Sequence, residues 1–111
     1  LCIRIKTSTG VSLADTGVID LDAATAKHWK LDIEFTIRQI GEEGVASIVS
    51  GGSFSYNKNA SNNPESITFI SINNSDFNTT ISNELAITAQ WNNANSSNAI
   101  YSDIFTLNKV Y

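Results

Sequence analysis

The sequence predicts an all-β domain, a jelly-roll β-sandwich of about eight to ten short antiparallel strands. Three observations carry this. Apolar and polar residues alternate with period two through most of the chain. Clusters of Asn, Ser, Asp and Gly recur roughly every 8–12 residues, the spacing of turns in a sandwich or barrel. Helical patterning is confined to residues 22–26 (DAATA), where Asp22 could cap a single turn too short to be a helix of the fold.

Residues 1–7 alternate cleanly, and Ser8–Thr9–Gly10 turns the chain into a short strand at 11–14. Asp15–Thr16–Gly17 punctuates it, and 18–22 is a further short strand candidate. Residues 29–40 give the clearest strand. Trp29, Leu31, Ile33, Phe35 and Ile37 share one face, and Lys30, Asp32, Glu34, Thr36 and Arg38 the other. Residues 41–44 (GEEG) form a hairpin turn, after which 45–50 and 53–57 read as one strand with a bulge or bend expected at Gly51–Gly52. A loop over 58–66 holds Pro64, the only proline. Strands follow at 67–72 and 77–82, separated by a turn at 73–76.

The chain then runs strand, polar loop, strand. Leu85, Ile87, Ala89 and Trp91 alternate with Ala86, Thr88 and Gln90; residues 92–98 (NNANSSN) turn; and residues 100–111 return as a long strand. Its two faces are Tyr101, Asp103, Phe105, Leu107, Lys109 and Tyr111 against Ile100, Ser102, Ile104, Thr106, Asn108 and Val110. Both faces carry large apolar groups, so this strand is expected to be paired in a sheet and covered by a second layer or another subunit.

A length of 111 residues suits one domain with its own core. The chain has no methionine and opens directly in a strand, so residues 1–111 are expected to be a single C-terminal domain cut from a longer protein. The net charge of −4 argues against nucleic acid as a partner. No apolar run approaches the roughly 18 residues of a membrane span, and no signal peptide is visible, so no membrane insertion is expected. One cysteine, Cys2, excludes an intrachain disulfide and is expected to be a buried thiol. Charges thin out after Ala46, and between Lys58 and Lys109 there is no Lys or Arg; Asn, Ser and Thr supply the polarity. That surface style leans towards an extracellular setting.

Catalysis finds little support. The single histidine, His28, stands beside Trp29 at a strand entrance, and Glu42–Glu43 diverge at a turn tip. Asp15, Asp20 and Asp22 could approach one another, but a calcium cage needs more oxygen ligands than they supply. No cofactor or metal is therefore expected. Asn-x-Ser/Thr sequons at Asn59, Asn73, Asn78 and Asn95 occur about as often as chance allows in so Asn- and Ser-rich a chain. Recognition is the better prospect, since Tyr-, Asn- and Ser-rich loops make adaptable contact surfaces. Candidate contact residues fall in three loops: Tyr56, Asn57, Lys58, Asn59 and Asn62; Asn73 and Asn74; and Asn92, Asn93 and Asn95. Tyr56 is expected to be an exposed contact. Trp91 lies in phase with Leu85 and Ile87, which favours core packing over a sugar-stacking platform.

The strings HWKLDIEFTIRQIG, GVASIVSGGSFSYNKN and LAITAQWNNANSSNAIYSDIFTLNKVY resemble the C-terminal head domains of viral and phage fibre or tail-fibre proteins, including those of large DNA viruses of algae and protists. The resemblance implies a jelly roll similar to the tumour-necrosis-factor and complement C1q heads. It also implies a homotrimer on a fibrous stalk at the virion surface, binding a host-cell receptor, often a glycan. In such trimers the first and last strands lie side by side facing the threefold axis. That would place Tyr101, Phe105 and Tyr111 at or near the interface, with Trp29 or Phe35 behind them. No family motif maps a receptor site onto particular residues. The alternatives are a virion decoration or trimerisation module that binds no receptor, and a lectin-like adhesion domain.

Overall fold

Period-two alternation becomes two antiparallel sheets of three strands each. The computed structural model describes residues 1–22, 27–60 and 62–109. The strands are β1 (Cys2–Thr7), β2 (Ser12–Asp15), β3 (Lys30–Gln39), β4 (Ser47–Tyr56), β5 (Glu65–Asn74) and β6 (Leu85–Gln90). One sheet has the order β2-β1-β6, the other β3-β4-β5. The first and last of these strands lie side by side, in register from Cys2↔Gln90 to Thr7↔Leu85.

Two apolar clusters hold the sheets together. At one end Leu1, Ile3, Ile19, Phe54 and Tyr56 are buried, with Trp29, Leu31, Trp91 and Ile100 packed around them. Phe54 is wholly buried, tilted against Trp29 at 5.9 Å and stacked on Tyr56 at 5.5 Å. At the other end Leu13, Ile48 and Phe77 are buried, with Val11, Phe35 and Leu85 against them. Between the clusters the buried Ser50 hydroxyl donates to the Leu13 carbonyl, a polar tie from β4 to β2. β2 lies over β4 and β5. Leu85 and Trp91, at the two ends of β6, share clusters with Phe35 and with Trp29 and Leu31. β6 and β3 each end a sheet, and the two sheets meet chiefly where β2 lies against β4 and β5, a slighter contact than the expected jelly roll makes.

The six strands fall short of the eight to ten expected, and the differences have local causes. Residues 18–22 make no strand; Ile19 is buried and its N–H donates to the Leu1 carbonyl at 2.7 Å. Residues 77–82 alternate in sequence but turn in space. The Asn78 carboxamide oxygen accepts from the Thr80 N–H (2.8 Å) and hydroxyl (2.6 Å), and the Thr79 N–H donates to the Gly41 carbonyl (2.9 Å). Such side-chain bonds compete with a ladder. Residues 100–109, expected to be the long final strand, pair with no strand among the described residues. The proposed helical turn at 22–26 lies, beyond Asp22, outside the described residues.

The expected bulge at Gly51–Gly52 is also absent. β4 runs straight through, Gly52 facing Ile33 on one side and Phe69 on the other. Register shifts fall instead between Ile37 and Gln39 and between Ile48 and Ser50. Gly52 is there because β3 comes too close for a side chain. A Cβ at that position would collide with the Asp32 carbonyl oxygen and sit 2.9 Å from Ile33 Cα.

Candidate functional site

Two of the three candidate loops converge, and the residues between 19 and 22 join them. β4 ends at Tyr56 and delivers the loop beginning at Asn57; β6 ends at Gln90 and delivers the loop at 92–98. The Asp22 N–H donates to the Lys58 carbonyl at 2.8 Å. On the other side, Asn92 Nδ2 donates to the Ile19 carbonyl at 3.3 Å and to the Asp20 carboxylate at 3.2 Å, while its Oδ1 accepts from the Leu1 amine at 2.5 Å. The Lys27 ammonium reaches Asn62 Oδ1 at 3.1 Å. The 92–98 loop braces itself: the Ser97 N–H donates to Asn95 Oδ1 (2.8 Å), the Asn98 N–H to the Asn95 carbonyl (3.0 Å), and Asn98 Nδ2 to the Asn93 carbonyl (3.2 Å). These self-closed Asx turns explain why so polar a loop holds a shape. Lys58, Asn59, Asn62, Asn93 and Asn95 are exposed on this end of the sandwich.

The third loop lies at the opposite end, beside the Leu13–Ile48–Phe77 cluster, and its amides serve the fold. Asn74 Nδ2 donates to the Ser12 carbonyl at 3.1 Å, and its Oδ1 accepts from the Asp76 N–H at 2.9 Å. Asn73 takes a left-handed backbone (φ 54°) that Asn tolerates, and its Oδ1 accepts from Arg38 at 3.0 Å and from the Ser47 hydroxyl at 3.4 Å. A solvent-open groove of about 370 Å³ borders this loop, with Glu43, Asp76 and Asn78 in its lining.

Tyr56 corrects the sequence expectation of an exposed contact. It is buried against Phe54, and burial, followed by the nearby Glu65 carboxylate, raises its phenol above the ordinary value. Alternation along β4 places Tyr56 on the same face as Ile48, Ser50 and Phe54, a parity visible in sequence. Asn57 Oδ1 is buried with no hydrogen-bond partner among the described residues. Asn92 proved to be a brace between Leu1 and residues 19–20, and no local pattern in the sequence announced that role. Trp91 packs half-buried against the Phe54 cluster, as its phase with Leu85 implied.

Of the expected interface residues, Trp29 and Phe35 are half-buried within the chain's own core. Tyr101 and Phe105 are 75% and 62% exposed, and Tyr111 lies outside the described residues. Asp15 belongs to a separate network. It accepts from Arg4 Nε at 2.9 Å, from the Gly17 N–H at 2.7 Å and from the Cys2 thiol at 3.1 Å. The Gly17 N–H, then Cys2 and Arg4, hold its carboxyl below the usual range, while burial and Asp15 itself push the Cys2 thiol up. Among the described residues no three His, Cys, Asp or Glu side chains gather to hold a metal ion, and no helix is long and apolar enough to cross a membrane. The chain matches no protein-family model, no curated protein and no solved structure.

Proposed function

We propose that this domain is the trimeric jelly-roll head of a viral or phage fibre, non-catalytic, displayed on the virion surface and attaching it to a host-cell receptor, with a surface glycan as the ligand class. The observation that carries the reading is the segment 100–109. Its Tyr101, Ile104, Phe105 and Leu107 side chains stand in solvent, as a subunit interface would require and an isolated domain would avoid. Two further features support it. β1 lies beside β6, which leaves the chain's later residues 100–109 outside both sheets and open to a second copy. The exposed Lys58, Asn59, Asn62, Asn93 and Asn95 gather amide and ammonium groups suited to sugar hydroxyls at one end of the sandwich. Repeated three times, weak contacts of this kind gain avidity.

The test is binding of the fluorescently labelled chain to a glycan array and to intact cells. The proposal expects binding that drops at least tenfold in a Lys58→Ala/Asn93→Ala variant that still folds. Binding to neither surface would refute attachment.

A second reading has its own support. Asn73, Asn74 and Asn92 spend their amides inside the molecule, as an assembly module without a receptor would allow. A stable trimer that binds neither cells nor glycans would favour it.

A further inference from the structure

We propose that residues 100–109 are an exchange arm, lying along the free edge of β6 in a second copy of this chain and covering the open side of that copy's sandwich. This deepens the trimer reading, on which it rests, by naming the element that joins the copies.

Donor and acceptor are both present in one chain. The acceptor is the side where β3 and β6 end their sheets. Its inward residues are only partly covered: Leu85 and Phe35 are half-buried, but Ile87 is 40% and Ile37 is 52% exposed. β6 also has an unpaired edge, on the side where β3 ends the other sheet. Edge strands left open in this way take up extended segments through backbone hydrogen bonds. The donor is the arm, which carries large apolar side chains on both faces, Ile100 and Ile104 on one and Tyr101, Phe105 and Leu107 on the other, and lies in no strand among the described residues.

Geometry directs the arm outward. Ile100 is anchored in the Phe54 cluster, just after the self-braced 92–98 loop, whereas residues 101–109 are exposed throughout. The radius of gyration is 15.5 Å, against about 13 Å expected for a compact chain of this length, and the long axis is 46 Å against 29 and 22 Å. An arm given by each copy to the next is a head-to-tail contact, which closes when the rotation between copies completes a ring.

Cysteine pairing tests this. One chain carries Ser102→Cys, Ile104→Cys or Thr106→Cys in the arm; a second, mass-tagged chain carries Thr88→Cys on β6. The two are refolded together and oxidised. The native Cys2 is buried, so the parent chain is the control for background linkage. The proposal expects at least one arm position to give tagged–untagged disulfide dimers in tenfold or greater excess over the parent, because only adjacent strands bring Cα atoms within about 7 Å. Disulfides that form only within a chain carrying both cysteines would overturn it in favour of a hairpin onto the chain's own β6. No linkage at any position would overturn it as well. Light scattering on the same samples separates the two claims: an unlinked trimer removes the exchange and keeps the trimer, and an unlinked monomer removes both.

Discussion

Adjacent glycines at the centre of β4 should respond oppositely to the same substitution. Gly52 faces Ile33 on β3, and an added Cβ would run into the Asp32 carbonyl oxygen and sit 2.9 Å from Ile33 Cα and 3.0 Å from the Asp32 carbonyl carbon. All three are backbone atoms, so no side-chain rotation relieves the overlap and β3 itself must shift. At Gly51 the Cβ would meet the Phe69 carbonyl oxygen at 3.7 Å and Ile70 Cγ1 at 3.9 Å, ordinary van der Waals contact. Gly52→Ala is therefore expected to cost about 2–3 kcal/mol, the upper part of the overpacking range, because the obstruction is main chain. Gly51→Ala should gain about 0.5–1 kcal/mol, as it restricts the unfolded chain without strain. The assay is urea unfolding followed by tryptophan fluorescence, with the m-value checked for constancy. A separation of about 2.5–4 kcal/mol between the two variants is a large share of the 5–15 kcal/mol typical of a domain. Equal midpoints, or a Gly52→Ala chain more stable than Gly51→Ala, would refute the close approach of β3 to β4.

Two further predictions address the polar ties. Ser50→Ala removes the donor to the buried Leu13 carbonyl and should destabilise by about 1–3 kcal/mol in the same unfolding assay; an unchanged midpoint would show that this bond does not join the sheets. Asp15 has a folded pKa below its unfolded value of about 3.9, so its contribution is complete above about pH 5 and disappears as pH falls through the folded value. Asp15→Asn should flatten the acid limb of a stability–pH profile. The effect should be small, because the Asp15 side chain is 43% exposed and screened by solvent. A variant that loses stability as steeply as the parent between about pH 5 and pH 2 would exclude Asp15 as its cause.

Much of the two-sheet, all-β fold was legible in the sequence because burial follows parity. β3 and β4 show it best: Trp29, Leu31, Ile33 and Phe35 face inward, as do Ile48, Ser50, Phe54 and Tyr56. The same parity should have placed Tyr56 in the core, but its position at the mouth of a polar loop suggested a contact instead. Alternation failed at 77–82 because Asn78 and Thr80 satisfy the backbone locally, a competition that a periodic pattern does not register. It failed at 100–109 for another reason. A strand needs a paired edge, and 100–109 is paired with none among the described residues although β6 leaves one free. The pairing of 58 with 22, and of 92 with 19 and 20, depends on long-range closure, so the convergence of two candidate loops was not readable from either alone.

The central claim is that the exposed apolar arm exists to be covered by other copies. The measurement that tests it most directly is the solution mass of the unmodified chain at micromolar concentration, by light scattering coupled to size exclusion. The account predicts about three times the 12.0 kDa chain mass. A clean 12.0 kDa species would contradict it.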